Sequence, residues 1–173
     1  MIATRNVGRM SHSPDGGKTN VYLTPKLLLA LVYECLEKVD LDPCSNSHAW
    51  PQVCADAYYT EAENGLLHQW RERIFANPPY KAVRLWAQKF LDEYALGHMT
   101  EGILLVAAST ETRWYQQLGR SDALICHINE RLWFDQAPGI PCKERARFGS
   151  VLFYLGQRQE RFKEVFEKVG FVR

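Results

Sequence analysis

The sequence predicts a single α/β domain whose sheet is mostly parallel, with a late antiparallel pair of strands. Short apolar runs alternate with amphipathic stretches along most of the 173 residues, which is the order expected of strands joined by helices. Two of the runs stop at proline, and another, Ile103–Ala107, is apolar throughout, which is typical of a central strand buried on both faces. A chain of this length is sufficient for one domain with a full core.

The composition is that of an ordinary globular protein, with 46% hydrophobic and 24% charged residues, and no apolar run is long enough to cross a bilayer. Residues 1–17 are polar and lack the apolar core of a signal peptide, so we expect a cytoplasmic protein with no membrane partner. We also expect residues 1–19 to form a flexible arm before a single domain over residues 20–173. The net charge of +1 neither requires nor excludes a nucleic-acid partner, because the position of the charges decides binding.

The five cysteines are odd in number and include no C-x-x-C pair, which argues against a disulfide framework and a zinc ribbon. We therefore expect the thiols to be reduced. Cys44, His48 and Cys54 are the nearest approach to a set of metal ligands, but their spacing matches no common site and a fourth ligand is not evident. The sequence predicts no metal.

The first two elements are a buried helix and a strand. Thr24 has the character of a helix N-cap and Pro25 that of a first helical residue, and apolar residues recur at helical spacing over residues 27–36. Val39–Asp42 alternates as a strand does and stops before Pro43, which cannot donate to a ladder.

The middle of the chain contains a second strand that ends at prolines and a long helix. Residues 53–59 predict a small strand or a helical turn, and residues 65–70 predict a turn that leads into a short helix. Residues 74–76 are apolar and are followed within two positions by two prolines, so they predict a buried strand. A helix follows over residues 83–94, where apolar residues recur every three or four positions, and Gly97 closes it.

The last third supplies the centre of the sheet and its late antiparallel pair. After the strand at Ile103–Ala107, Ser109 or Thr110 caps a short helix that runs through Leu118. Apolar patterns predict further strands at residues 123–128, 131–134 and 151–155, and a final helix with Phe162, Val165, Phe166 and Val169 on one face.

The stretch Asn77-Pro78-Pro79-Tyr80 is the first candidate site. Held extended before Pro78, Asn77 is expected to point its amide oxygen away from the strand, with the Tyr80 ring beside it. An amide oxygen and a free backbone carbonyl can accept both N–H bonds of a planar amino group while the ring stacks on its heterocycle. The alternative is a Pro-Pro loop after a core strand, with Tyr80 as its packing residue.

The segment Asp42-Pro43-Cys44-Ser45-Asn46 is the second candidate site. A carboxylate at the carboxyl end of a strand, followed by small polar residues, can hold the ammonium or hydroxyl groups of a ligand. The alternative is an Asx turn that closes the strand.

Basic residues are concentrated in the leading arm and in the long loop between Phe134 and Phe148. They are Arg5, Arg9 and Lys18 in the arm, and Lys143, Arg145 and Arg147 in the loop. Loops of this length in compact domains are typically functional or mobile, so this one is the natural candidate for a target-contacting or lid segment. The alternative for both clusters is a solvated surface.

Together these features resemble the S-adenosylmethionine-dependent amino-methyltransferases, and in particular the phage-type DNA N-6-adenine-methyltransferase (Dam) family. The resemblance runs from about Tyr22 to Phe171, with the motifs in the family's order and at similar spacing. The motifs are Thr24-Pro25, Leu41 to Asn46, Gln52, Ala55, Tyr58-Tyr59-Thr60, Gly65-Leu66 with Trp70, Asn77 to Tyr80 with Trp86, Thr112-Arg113-Trp114, Arg131 before Phe134, and Phe148-Gly149-Ser150-Val151.

The resemblance implies a compact, Rossmann-like methyltransferase sheet with helices on both faces. It also implies transfer of a methyl group from S-adenosylmethionine to the exocyclic amine of an adenine extruded from DNA. The implied catalytic residues are Asn77, Pro78, Pro79 and Tyr80. The residues implied to bind the cofactor are Thr24, Pro25, Asp42, Pro43, Cys44, Ser45, Asn46, Asn64, Gly65 and Leu66, and those implied to bind DNA are Lys143, Arg145, Arg147, Arg113 and Arg131.

The sequence departs from the family's pattern at two points. Cys44-Ser45-Asn46 contains no glycine where amino-methyltransferases carry a Gly-rich loop, so close backbone approach must be arranged differently. Asn64 stands where an acid would be a clearer ligand for the adenine or ribose of the cofactor. Two other functions remain open: methylation of another planar amine or amide, and a catalytically silent DNA-binding or antirestriction protein of the same fold.

Overall fold

The computed structural model of the protein describes residues 22–137, 140–141 and 144–173. Its helices are α1 (Lys26–Leu36), α2 (Val83–Ala95), α3 (Arg113–Gly119) and α4 (Gln159–Phe166). Its strands are β1 (Val39–Asp42), β2 (Ala55–Tyr58), β3 (Glu72–Ala76), β4 (Met99–Ala107), β5 (Leu124–Ile128), β6 (Asp135–Ala137), β7 (Ile140–Pro141), β8 (Ser150–Leu155) and β9 (Gly170–Val172). Lys143 and the arm expected over residues 1–19, with Arg5, Arg9 and Lys18, lie outside the described residues.

The main sheet has seven strands in the order β2-β1-β3-β4-β8-β5-β9. Strands β2, β1, β3 and β4 pair in parallel, whereas β8 is antiparallel to both β4 and β5, and β9 is antiparallel to β5. The prediction of a mostly parallel sheet is therefore right for one half and wrong for the other. The apolar pattern could not reveal this, because β8 is buried at every position and so has the composition of a central parallel strand.

Helices cover both faces of the sheet, as expected. On one face α1 and α4 pack together, with Val32 and Phe162 in a shared apolar cluster. On the other face α2 and α3 pack together, with Phe90 and Leu118 in a second cluster. None of the described helices is long and apolar enough to cross a membrane.

Helix α1 begins one residue later than predicted, at Lys26, and has no side-chain cap. Pro25 occupies the N-cap position, and its carbonyl accepts the first helical hydrogen bond, from Leu29, at 3.0 Å. The predicted role of Thr24 as the cap is wrong, because its hydroxyl instead accepts a hydrogen bond from the side chain of Asn77.

Two further predictions from apolar spacing are wrong. Residues 131–134 form no strand, and the chain pairs only afterwards, where Leu23 bridges Asp135 and β6 pairs with β7. Helix α4 ends at Phe166, so Val169 lies beyond it. The short strand β9 that follows was not predicted, because its three residues are too few to show a period.

The carboxyl ends of β1, β3, β4 and β5 lie at one edge of the sheet, since all four strands run in the same direction. Loops leave this edge after Asp42, Ala76, Ala107 and Ile128. Strand β8 starts from the same edge, where Ser150 lies opposite Ala107. The sheet therefore collects the segments of both candidate sites and the late basic loop at one edge.

Candidate active-site cavity

A cavity of about 650 Å³ opens at this edge beside the ends of β1 and β3. Its volume lies in the range of roughly 300–1,000 Å³ that is usual for small-molecule sites. Every residue predicted to be catalytic or cofactor-binding lines the cavity, except Pro25. The two candidate sites of the sequence are thus two walls of one cavity.

The side-chain amide of Asn77 is held in one orientation. Its Nδ2 donates to the backbone carbonyl of Tyr22 at 2.7 Å and to Oγ1 of Thr24 at 3.0 Å. A carbonyl can only accept, so the nitrogen must face Tyr22. Oδ1 of Asn77 accepts no hydrogen bond from the described residues and remains available to a donor in the cavity.

The two prolines after Asn77 differ in what their carbonyls do. The Pro79 carbonyl accepts a hydrogen bond from the N–H of Ala82 at 3.1 Å, which closes the short 3₁₀ turn Tyr80–Ala82 ahead of α2. The Pro78 carbonyl accepts no backbone hydrogen bond from the part of the chain that the structure describes. A second acceptor therefore follows Asn77 directly in the chain, at a residue that also lines the cavity.

Tyr80 both lines the cavity and belongs to an aromatic cluster of Tyr22, Tyr80, Phe134 and Phe148. Its ring lies edge-to-face against Tyr22 at 5.2 Å and against Phe148 at 4.8 Å between centroids. Its hydroxyl is buried without a hydrogen-bond partner among the described residues, and burial raises its pKa. The ring is thus fixed by packing. Tyr80 therefore both forms part of the cavity wall, as predicted, and packs against other rings, as the alternative interpretation had it.

Asp42 ends β1 with its side chain almost fully buried, since only 4% of the residue is exposed. Its Oδ1 accepts from the backbone N–H of Cys44 at 3.1 Å, which is the Asx turn considered as the alternative. Burial raises the pKa of Asp42 to about 7, against the opposing effect of the hydrogen bond from Cys44. A buried carboxylate in a cavity wall gains stability from any cation or additional donor that reaches it.

The loops after β1 and β2 touch at Gly65. A Cβ on Gly65 would lie 1.9 Å from the carbonyl oxygen of Pro43, so no other residue fits without a shift of backbone. The carbonyl of Gly65 accepts from Nε1 of the buried Trp70 at 2.9 Å. Asn64, in the left-handed region with φ 55°, accepts from the N–H of Leu66 and shapes the turn. Gly65 is the one glycine among the predicted site residues, and it allows these two loops to come into contact.

Several cavity residues were not predicted, and Gln52 and Glu61 are the most informative. Gln52 ties two walls together, because its Nε2 donates to the Thr24 carbonyl at 2.6 Å and its N–H donates to Oδ1 of Asn46 at 3.0 Å. Asn64 stands where an acid would be a clearer ligand for the cofactor, and Glu61, three residues earlier, supplies an exposed carboxylate to the same cavity. Gln52 was visible as a motif residue, whereas nothing in the sequence pattern marked Glu61.

The described arginines that were predicted to bind DNA stand at the same edge but do not line the cavity. Arg113 begins α3, Arg131 follows β5, and Arg145 and Arg147 precede β8; all four are exposed. Arg145 forms an ion pair with Glu130 at 3.2 Å. The adjoining Phe148 contacts Tyr80, so this loop borders the catalytic candidate.

Cys44, His48 and Cys54 do not come together as metal ligands. Nε2 of His48 lies 2.6 Å from Oε2 of Glu63, and Cys44 and Cys54 are both free thiols. Within the described residues, no group of His, Cys, Asp and Glu side chains could hold a metal ion.

A model of the family described as DNA N-6-adenine-methyltransferase (Dam) matches residues 11–165. The match covers most of the chain, including every residue that lines the cavity. Searches of the curated proteins and of the solved structures gave no significant match.

Proposed function

The chain belongs to the DNA N-6-adenine-methyltransferase (Dam) family, and from this premise we propose that it transfers a methyl group from S-adenosylmethionine to N6 of adenine in DNA. One observation carries the proposal. Both hydrogens of the Asn77 amide are used on Tyr22 and Thr24, so the cavity is offered an acceptor and not a donor. The exocyclic amine of adenine, which has two N–H donors, suits such a site.

Asn77 and Pro78 contribute to the proposed reaction by positioning the amine. Oδ1 of Asn77 and the Pro78 carbonyl accept the two N–H bonds of the amine, which leaves its lone pair less committed to the ring. When bound, S-adenosylmethionine supplies the methyl group: the N6 lone pair forms the new bond to carbon, the S–CH₃ bond breaks with its electrons left on sulfur, and N6 loses one proton to solvent. Correct placement alone supplies several kcal/mol to such a reaction.

The residues beside Asp42 fit the cofactor in chemistry and in space. We assign the buried Asp42 carboxylate to a cationic or hydroxyl group of the cofactor, because its raised pKa reflects burial that such a partner offsets. The backbone of Cys44 to Asn46 and the exposed Glu61 line the same cavity and offer further polar contacts. Pro25 does not line it, so its contribution is to start α1.

The substrate base must leave the duplex to reach the cavity. Extrusion costs a few kcal/mol, and stacking of the adenine on an aromatic ring returns about 1–3 kcal/mol. Tyr80 lines the cavity together with Tyr22 and Trp86, and we assign the stacking to Tyr80 because it follows the two proposed acceptors in the chain. Its contacts with Tyr22 and Phe148 hold the ring in place. The exposed arginines at this edge are the proposed phosphate contacts.

The test combines binding with transfer. Calorimetry measures cofactor affinity, and a labelled methyl group is followed into duplex DNA, with DNA that carries hypoxanthine in place of adenine as the control because it lacks the amine. Asn77→Ala should retain the fold and cofactor affinity but lose about 10²–10³-fold in kcat. Cofactor binding without transfer to DNA would point to another planar acceptor, and DNA binding without cofactor binding to a silent protein of this fold.

A further inference from the structure

Trp133 is a large aromatic residue that is 46% exposed, at the edge of the sheet where the cavity opens. It lies in the irregular segment that follows β5, directly before Phe134, which is almost completely buried. A single exposed indole is common on protein surfaces, so the surroundings of Trp133 must show whether it has a binding role.

A cation lies over the indole of Trp133. The guanidinium carbon of Arg145 lies 5.7 Å from the centroid of the Trp133 ring, within cation–π distance. The same guanidinium forms an ion pair with Glu130, with Nη1 of Arg145 3.2 Å from Oε2 of Glu130. Arg131 and Arg147 are exposed in the same two segments, so the indole lies in a part of the surface that carries three arginines.

The position of Trp133 is fixed relative to the cavity. Its neighbour Phe134 packs on Tyr22 at 5.2 Å, and Tyr22 packs on Tyr80 at 5.2 Å. The N–H of Ala146 donates to the carbonyl of Leu132 at 2.9 Å, which ties the Arg145 segment to the Trp133 segment. Trp133 therefore directly precedes, in the chain, a member of the aromatic cluster that holds Tyr80.

We propose that Trp133, with Arg145 behind it, is a stacking platform for a base that loses its neighbour when adenine is extruded. The inference rests on the proposed function, because it takes DNA as the partner. Extrusion exposes the stacking faces of the flanking bases. An indole can stack on such a face whichever base it belongs to. The exposed arginines of these two segments suit the phosphates on either side of that base. A protein partner is the less favoured occupant, since three guanidinium groups would then lose solvation together.

The chain supplies a matched control in Trp50. Trp50 is 76% exposed, more than Trp133, and no cation lies over its ring in the described part of the chain. Loss of Trp50 therefore removes an exposed indole without removing the proposed platform. Trp133→Phe keeps an aromatic face, whereas Trp133→Ala removes it.

The experiment uses a duplex that the wild-type protein methylates, with 2-aminopurine at the target position, whose fluorescence rises on extrusion. We expect Trp133→Ala to lose about 5- to 150-fold in DNA affinity and to give a smaller fluorescence rise at saturation. Trp133→Phe should recover most of both, and Trp50→Ala should match wild type. Cofactor affinity should not change in any variant.

Three results would overturn the inference. If Trp133→Ala binds and extrudes like wild type while wild type methylates DNA, the platform is wrong and the proposed function stands. If Trp50→Ala loses as much as Trp133→Ala, the effect belongs to exposed indoles in general. If the wild-type protein binds no DNA, the proposed function and the platform fall together.

Discussion

The side-chain nitrogen of Asn77 donates to the hydroxyl of Thr24, a residue 53 positions earlier in the chain, at 3.0 Å. Thr24 is buried, so this hydroxyl is shielded from water. The hydrogen bond helps to decide which end of the amide faces the cavity. A residue that local pattern marks only as a helix cap thus becomes a positioning residue for the proposed reaction.

Thr24→Val keeps the shape of the side chain and removes the acceptor. Because the Tyr22 carbonyl still holds the amide, we expect a loss of about 3- to 10-fold in kcat, which is the value of one net hydrogen bond. Rates at saturating cofactor and DNA measure the effect, and Thr24→Ser should restore the rate. An unchanged kcat with a higher KM would assign Thr24 to binding alone.

Asp42 makes stability depend on pH in an unusual direction. Its pKa is raised from 3.8 to about 7 by burial, so the folded protein holds this proton more tightly than the unfolded chain. The contribution of Asp42 to stability is full below pH 3.8 and is lost as the pH rises through about 7. Asp42→Asn removes the loss, and above pH 7 the variant should exceed wild type by at most about 4 kcal/mol.

Urea unfolding of the cofactor-free protein at pH 5 and pH 8 measures this difference. The same substitution should weaken cofactor binding by roughly 1.5–3 kcal/mol, because a charge-assisted hydrogen bond is lost. A substitution that raises stability but weakens cofactor binding is what we expect at a residue whose role is to bind the ligand. Equal stability differences at the two pH values, with unchanged affinity, would leave Asp42 only as the acceptor of an Asx turn.

Gly65→Ala should disturb the cavity from outside the chemistry. The new methyl group would meet the Pro43 carbonyl, so one of two backbone segments must move, at a cost of about 1–3 kcal/mol in stability. Cofactor affinity should fall as well, since both segments line the cavity. Gly119→Ala is the control, because its nearest neighbour would be 3.8 Å away. Unchanged affinity in Gly65→Ala would separate the loop contact from cofactor binding.

Neutralising Lys143, Arg145 and Arg147 together should weaken DNA binding for all sequences alike. The slope of affinity against salt should flatten by up to about three contacts' worth, and by less if the ion pair of Arg145 with Glu130 persists in the complex. Neutralising Lys163 and Lys168, which pair with Glu160 in α4 and with Glu34 in α1, provides a control for the loss of positive charge elsewhere on the surface. Parallel salt plots for wild type and the triple variant would direct attention to Arg113 and Arg131 instead.

The two walls of the cavity could be found from sequence because proline marks them. Pro43 and Pro78 end the ladder after β1 and β3, and parallel neighbours bring Asp42 and Asn77 to the same edge. The local chemistry was readable there, and with the family resemblance it gave 13 of the residues that line the cavity, whereas nine others were not predicted.

The remaining features depend on contacts between distant parts of the chain, which leave no local period. The hydroxyl partner of Asn77, the approach of Gly65 to Pro43 and the insertion of β8 between β4 and β5 are of this kind. An apolar strand such as β8 specifies burial and not direction. Glu61 was missed for a similar reason, because an exposed acid in a loop has no pattern until a cavity forms beside it.

Backbone hydrogen bonds attach the segment between β5 and β8 to the rest of the fold at two places. Leu23 and Asp135 exchange two backbone hydrogen bonds at 3.1 and 2.9 Å, and the N–H of Ala108 donates to the Gly149 carbonyl at 2.9 Å. Because these hydrogen bonds lie at its two ends, we expect that the segment between them can change in length without a shift in the register of the main sheet, whereas a change at Phe148 would reach Tyr80. The cavity wall around Asp42 is thus anchored independently of the segment between Asp135 and Gly149, and we expect changes within that segment to leave the Asp42 wall in place.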